Sequence, residues 1–66
     1  MEAIDDLIGR RFRPIGSSFS TWEVVGIAAL PGEDIPHARL RRVGSRTDLK
    51  TLSSQVLSDR RMYEPV

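Results

Sequence analysis

The residue types that carry most enzyme chemistry are scarce in this chain of 66 residues. His37 is the only imidazole, it directly follows Pro36 at the junction of a loop and a strand, and the chain contains no Cys. Nucleophilic catalysis needs a Ser, Cys or Thr beside a base that a third group orients, and the serines here fall in loop and helix-capping contexts. We therefore predict that the protein is not an enzyme and that His37 is an exposed or hydrogen-bonding structural residue.

Ligands for a metal or a cofactor are equally scarce. One His and no Cys leave only carboxylates as metal ligands, and the adjacent pairs Asp5–Asp6 and Glu33–Asp34 are better explained as a helix start and a solvated loop. The five glycines are scattered, one to a turn or bend, so the sequence has no glycine-rich phosphate loop. The sequence predicts no catalytic residue, no metal ligand and no cofactor.

Arginine is the residue type here that is best suited to contact a partner. Nine of the ten basic residues are Arg and one is Lys, although the formal net charge is only +1. The planar Arg fork matches carboxylate and phosphate groups. Two groupings are therefore the candidate binding residues. The first follows one strand and its turn and comprises Arg39, Arg41, Arg42, Arg46 and Lys50. The second comprises Arg11 and Arg13 on the first strand, with Arg60 and Arg61 at the start of the last strand.

Both an acidic protein surface and a nucleic-acid backbone fit such arginines. Nucleic acid is the weaker fit, because the net charge is small and the chain has no aromatic side chains to spare for stacking on bases. The bland alternative is that these are ordinary solvated side chains. In that case they form salt bridges with four acids, Glu23, Asp48, Asp59 and Glu64.

The elements that must position these residues are predicted from hydrophobic periodicity, which indicates a mainly β domain. A short helix over Glu2–Ile8 comes first and ends at Gly9. The strands are predicted over Arg10–Ile15, Thr21–Leu30, His37–Val43, Leu49–Ser53 and Arg61–Val66.

Local signals add detail to these elements. Gly26 permits a bend in the long strand, whose residues Trp22, Val24, Gly26, Ala28 and Leu30 are predicted to share one face. Broken alternation predicts a bulge or a strand end at Arg42–Val43. The stretch Ser54–Asp59 reads as a single helical turn that Ser53 caps and that plugs the core with Val56 or Leu57.

The end of the chain resembles the SH3-like small β-barrels, the architecture of SH3, Tudor and KOW-type modules. The resemblance rests on the strand Leu49–Ser53, the turn Ser54–Asp59 and the strand Met62–Glu64, and it covers about Gly9 to Val66. It implies a five-stranded barrel in which the last strand pairs with the first. Closure would remove the exposed edges of an open sheet.

The binding motifs of those families are missing from this sequence. Ser17, Ser18 and Ser20 stand where an SH3 domain has its acidic loop, and no aromatic run of the ALYDY type occurs. A Tudor-type cage needs several rings around one cation, whereas this chain has four aromatics, of which Phe12 and Trp22 are predicted to lie in the core. No functional residue is therefore carried over from these families.

Binding is the function class that remains. Residues 1–66 are predicted to form one non-enzymatic interaction domain that acts through Arg-rich faces on a protein partner. An inhibitor from a phage or mobile element, of the anti-CRISPR or anti-defence type, acting on a nucleic-acid-targeting complex would fit. The alternatives are direct DNA or RNA binding and a structural homodimer that pairs through an exposed edge of the first strand.

No apolar stretch approaches the roughly 20 residues of a membrane span, so a cytoplasmic location without membrane contact is expected.

Overall fold

The computed structural model describes residues 4–16, 20–29, 31–32 and 34–66. A 3₁₀ turn precedes five strands, and one short α-helix separates the fourth strand from the fifth. In chain order the elements are the 3₁₀ turn Ile4–Leu7, β1 (Arg11–Pro14), β2 (Trp22–Ala28), β3 (His37–Arg42), β4 (Leu49–Ser53), α1 (Ser54–Ser58) and β5 (Tyr63–Pro65). The predicted element order and the mainly β class are confirmed, although several strands are shorter at their ends than predicted.

Some predicted features fall on residues that are not described. They are the beginning of the N-terminal helix (Glu2 and Ala3), the loop residues Ser17 and Ser18, the strand end at Leu30, and Glu33 of the hairpin loop; all lie outside the described residues.

All five strands form one antiparallel sheet in the order β4-β3-β2-β1-β5. The last strand pairs with the first, with Arg13 opposite Glu64 and Pro14 opposite Tyr63, as predicted. β1 therefore lies inside the sheet, between β2 and β5, and the prediction that it offers an exposed edge was wrong. The two outermost strands of the sheet are β4 and β5.

The backbone of β5 shows why the sheet stops there. The N–H of Ile15 donates to the carbonyl of Met62 over 2.8 Å. Because hydrogen-bonded positions alternate along an antiparallel ladder, the carbonyl of Met62 and the backbone groups of Glu64 are directed at β1, while the N–H of Met62 donates to the carbonyl of Asp59. Tyr63 and Pro65 direct theirs to the outside.

Neither outward position of β5 has an N–H to offer to another strand. Pro65 has none by its chemistry, and the N–H of Tyr63 already donates to the carbonyl of Asp59 over 2.9 Å. β5 therefore cannot form a regular ladder with β4. The sheet is open, and the prediction of a closed barrel is corrected to a five-stranded open antiparallel sheet.

The core lies on one face of the sheet. Its buried members are Phe12, Val24, Ala38, Leu40, Leu57 and Tyr63. Partly buried hydrophobic residues pack against them, namely Leu7, Trp22, Ile27 and Leu52. Each of the five strands and α1 supplies at least one of these side chains, so the core joins both ends of the sheet to the helix.

A β-bulge in β2 changes which residues face this core. The pairing of β2 with β3 shifts register between Val24 and Gly26, and an extra residue in a strand reverses the alternation beyond it. Val24 and Ile27 therefore both face the core, while Val25 is 43% exposed. The predicted alternation, with Gly26 and Ala28 on the face of Val24, was wrong beyond the bulge.

The helical turn after β4 forms as its sequence predicts. The Oγ of Ser53 accepts a hydrogen bond from the N–H of Val56 over 3.2 Å, which caps the start of α1. Leu57 is buried at 1% exposure and covers the core.

Within the part of the chain that the structure describes, no helix has the length and apolar character required to cross a membrane.

We expect the substitution Leu57→Ala to lower the free energy of unfolding by about 2–5 kcal/mol, because it opens a cavity beneath α1. Gln55→Ala is the matched control, since Gln55 is exposed on the same helix and surface changes usually stay within about 0.5 kcal/mol. Urea unfolding monitored by circular dichroism measures both. Equal midpoints for the two variants would contradict the role of Leu57 as the core cover.

Candidate functional site

Strand alternation divides the residues of β3 between the core and the surface. Ala38 and Leu40 are buried, whereas Arg39 and Arg41 are exposed on the opposite, outer face. A Cβ placed on Gly26 would lie 3.9 Å from the Cδ of Arg39, so the stem of Arg39 runs over the glycine. The two arginines therefore project outward from β3, the strand next to the edge strand β4, and their outward placement is as predicted.

Four of the nine candidate basic residues are in ion pairs. The Nε of Arg11 lies 3.2 Å from Oε1 of Glu23, and Nη2 of Arg13 lies 2.7 Å from Oε1 of Glu64. The other two pairs are Arg42 with Asp48 and Arg61 with Asp59. All four carboxylates, Glu23, Glu64, Asp48 and Asp59, were predicted as salt-bridge partners, so these four arginines are ordinary surface side chains in salt bridges.

Arg60 and Arg61 do not join Arg11 and Arg13, contrary to the prediction. β5 begins only at Tyr63, so both residues lie in the turn before it rather than alongside β1. Arg60 instead lines a separate groove with Arg10. The second predicted grouping is therefore not a continuous basic surface.

Lys50 also lies away from the candidate surface, because its side chain points to the core side of the sheet. It stands opposite Leu40 in the β3–β4 ladder. Its Nζ donates a hydrogen bond to the Oη of Tyr63 over 2.9 Å. The same ammonium lies 4.0 Å from the ring centre of Trp22 and 5.1 Å from that of Tyr63, which are cation–π distances. We call this contact the Lys50 clasp.

The side chains of three arginines on the outer side of the sheet make no hydrogen bond or salt bridge with any described residue: Arg39, Arg41 and Arg46. Arg41 and Arg46 line one groove together with Arg11 and Glu23. Arg39 lines an adjoining groove with Val25 and Leu49. Of the five basic residues in the first predicted grouping, three lie together with free side chains among the described residues, whereas Arg42 and Lys50 contact Asp48 and Tyr63.

The turn between β3 and β4 positions Arg46. Gly44 adopts a φ of +88°, a left-handed conformation that other residues rarely adopt. The Oγ of Ser45 accepts hydrogen bonds from the N–H groups of Thr47 and Asp48, over 3.3 and 3.1 Å. These bonds hold the turn and place Arg46 at its exposed tip, next to the outer face of β3.

Aliphatic side chains are interleaved with these arginines. Leu49 is 66% exposed, and Val25 and Val43 are exposed as well. The sequence analysis did not include these three side chains in the candidate surface, and the pairing of Leu49 with Arg41 shows only in the register. We define the basic face as Arg39, Arg41 and Arg46 together with Val25, Val43 and Leu49.

His37 has a local structural contact. Its Nδ1 lies 2.9 Å from the carbonyl oxygen of Ile35, to which the Nδ1–H donates. This bond ties the end of the hairpin loop to the first residue of β3. Among the described residues, no carboxylate or hydroxyl group is hydrogen-bonded to the His37 ring, so the ring is not part of a triad-like arrangement there.

We expect Lys50→Met to lower the free energy of unfolding by about 1–2 kcal/mol, because it keeps the aliphatic stem but removes the cation–π contacts and the charged hydrogen bond. Lys50→Arg is the matched control and should retain most of the stability, since the cation remains. Urea unfolding followed by the fluorescence of the single Trp measures the effect. An unfolding midpoint for Lys50→Met equal to that of the wild type would show that the clasp contributes nothing.

The pKa of the Asp59 carboxyl lies below its ordinary value, because Arg61 donates a side-chain and a backbone hydrogen bond to it. A carboxyl whose pKa is lowered by folding stabilises the fold above its unfolded-state pKa and loses that contribution as the pH falls through its folded-state pKa. We expect Arg61→Ala to raise the pKa of Asp59 in an NMR titration, and Arg60→Ala to leave it unchanged. An identical Asp59 titration in the Arg61→Ala variant would contradict the assigned cause.

The chain was compared with protein-family models, with curated proteins and with solved structures, and no match was found in any of the three comparisons.

Proposed function

We propose that the protein is a non-enzymatic binding module that uses its basic face to dock on an acidic surface of another protein. The observation that carries the proposal is the pair Arg39 and Arg41, which project from neighbouring outward positions of β3 and have no partner among the described residues. Four other arginines are already neutralised by carboxylates. The positive charge that remains for a partner on this side of the molecule is therefore concentrated on Arg39, Arg41 and Arg46.

The aliphatic side chains favour a protein partner over a nucleic acid. Leu49 and Val25 line the same groove as Arg39, and binding hot spots in protein interfaces combine arginine with buried apolar contacts. A phosphate backbone gains nothing from such side chains. Stacking on bases needs exposed rings, but Trp22 and Tyr63 point to the core side, where they hold Lys50.

An SH3-like architecture is the fold assignment that we propose for this module. Two features support it: the sheet order β4-β3-β2-β1-β5 and the helical turn between β4 and β5. Both agree with the resemblance noted in the sequence. In this proposal the domain is an opened member of that class, in which the Lys50 clasp takes the place of the last backbone ladder.

A biological role in keeping with this proposal is inhibition, in which the domain covers an acidic surface that another protein needs. The expectation of a phage or mobile-element inhibitor of a nucleic-acid-targeting complex, of the anti-CRISPR or anti-defence type, stays a prediction.

The test uses charge reversal on the basic face. We expect the double variant Arg39→Glu/Arg41→Glu to bind a labelled acidic peptide of glutamate and leucine at least about tenfold more weakly than the wild type. The matched control is Arg10→Glu/Arg60→Glu, which changes the net charge equally at a separate groove and should retain binding. Fluorescence anisotropy at several salt concentrations measures both variants.

The same measurement with a duplex DNA probe decides between the two partner classes. Docking on a protein predicts that Leu49→Ser weakens binding of the glutamate–leucine peptide without changing its salt dependence. If instead DNA binds more tightly than the peptide, falls steeply with salt and is insensitive to Leu49→Ser, the nucleic-acid alternative is correct. Equal binding by both double variants would mean that the basic face is not the site.

A further inference from the structure

The two outer edges of the open sheet differ in what their backbones offer. On β5, the outward positions Tyr63 and Pro65 have no available N–H group, as described above. The corresponding groups on β4 decide whether that edge is also closed to another strand.

The bonds at the two ends of the β3–β4 ladder settle the orientation of β4. The N–H of Arg42 donates to the carbonyl of Asp48 over 3.0 Å, and the N–H of Ser54 donates to the carbonyl of Pro36 over 2.9 Å. The register between these bonds is unbroken. Since hydrogen-bonded positions alternate along such a ladder, the even-numbered residues of β4 direct their backbone N–H and C=O groups at β3.

The odd-numbered residues Leu49 and Thr51 therefore direct their N–H and C=O groups away from the sheet. No described residue donates to these groups or accepts from them outside the ladder, and both residues are exposed. β4 thus presents two consecutive outward sets of backbone donors and acceptors. A free strand edge of this kind is a template for pairing with another chain.

We infer that the edge of β4 accepts an extended acidic segment of a partner protein as a sixth strand. The inference rests on the proposed function, whose acidic partner it specifies further. Backbone bonds to Leu49 and Thr51 would hold the segment, and the basic face would select it by charge, a division of roles found in other cases of β-strand addition.

The geometry of a sheet brings the two features within reach of each other. An added strand would lie about 4.8 Å from β4 and therefore about 10 Å from β3. Arg39 stands opposite Thr51, and Arg41 stands opposite Leu49, so both arginines are on the outer face directly behind the free backbone groups. Glutamates on the outer face of the added strand could meet the guanidinium groups above β4.

Charge argues against a second copy of this chain as the occupant. Pairing two β4 edges in an antiparallel, twofold-symmetric way continues the sheet with both outer faces on the same side. It would bring Arg39 and Arg41 of each copy towards those of the other, where like charges repel. The acid nearest to them, Glu23, is already paired with Arg11.

The test is amide hydrogen exchange by NMR on the full chain. The probe is a capped peptide of about eight residues that alternates glutamate and valine, a length typical of a strand, and the control peptide has lysine in place of glutamate. We expect the acidic peptide to slow exchange of the Leu49 and Thr51 amides by about tenfold or more, since each becomes hydrogen-bonded. The amides of Lys50 and Leu52, already in the ladder, should change much less.

A substitution at Thr51 gives a second test. Thr51→Pro removes one outward N–H while leaving the bonds to β3 intact, and it should abolish the peptide-induced protection of Leu49. Thr51→Val is the matched control, because it keeps the N–H. If a thermal melt shows that Thr51→Pro is unfolded, the exchange data on the wild type and on Thr51→Val still decide whether the acidic peptide pairs with the edge of β4.

The outcomes separate this inference from the proposed function. Acidic peptide that binds, shifts the signals of Arg39 and Arg41, and leaves Leu49 and Thr51 unprotected would overturn the sixth strand but support the basic face. Exchange of Leu49 and Thr51 that is already slow without peptide would overturn it too. Absence of any peptide binding would overturn the inference, and the charge-reversal measurement then judges the proposed function by itself. A dimer in sedimentation, with the same two amides protected, would replace the acidic segment by a second copy.

Discussion

The ammonium group of Lys50 links β4 to β5, the two outermost strands of the sheet, which share no backbone hydrogen bonds. It lies between Trp22 of β2 and Tyr63 of β5, and it donates a hydrogen bond to the Tyr63 hydroxyl. The backbone of β5 cannot make this connection, because Pro65 lacks an N–H and the N–H of Tyr63 is in use. A side-chain contact on the core side of the sheet therefore links β4 to β5, where no backbone ladder joins them. In a domain of 66 residues without disulfides, one such contact is a sizeable part of the few kcal/mol that hold the fold.

The outer surface of the molecule carries a different set of side chains. Trp22 and Tyr63 lie on the core side with Lys50, whereas the outer face of β3 and β4 carries arginine and aliphatic side chains. The acids beside it, Glu23 and Asp48, form salt bridges with Arg11 and Arg42. Positive charge and apolar area are thus combined on one side of the sheet, next to its open edge. That combination, rather than any cavity or reactive group, is the basis of the proposed activity.

Local signals in the sequence predict those parts of the structure that depend on neighbouring residues. The strand Leu49–Ser53 and the Ser53 cap lie where predicted, because a capping hydroxyl and a short apolar run act over only a few residues. The outward placement of Arg39 and Arg41 follows likewise from simple alternation around Ala38 and Leu40.

Features that depend on register could not be predicted in this way. Leu49 and Leu52 are three residues apart, so alternation alone does not say which of them faces the core, and the grouping of Lys50 with Arg39 and Arg41 joined residues that lie on opposite faces. The bulge at Val25 likewise depends on how β2 pairs with β3. Whether the sheet can close depends on which N–H groups of β5 point outward. Only the pairing of β5 with β1 shows which groups these are.

The position of the single lysine has a practical consequence for chemistry on this protein. Lys50 is the only side-chain amine in the sequence, and its Nζ is bonded to Tyr63 on the core side of the sheet. Reagents directed at lysine would therefore attach on the face opposite Arg39 and Arg41, or break this hydrogen bond in reaching the amine. Mapping a complex of this domain by covalent capture calls for reagents that react with guanidinium or carboxyl groups instead.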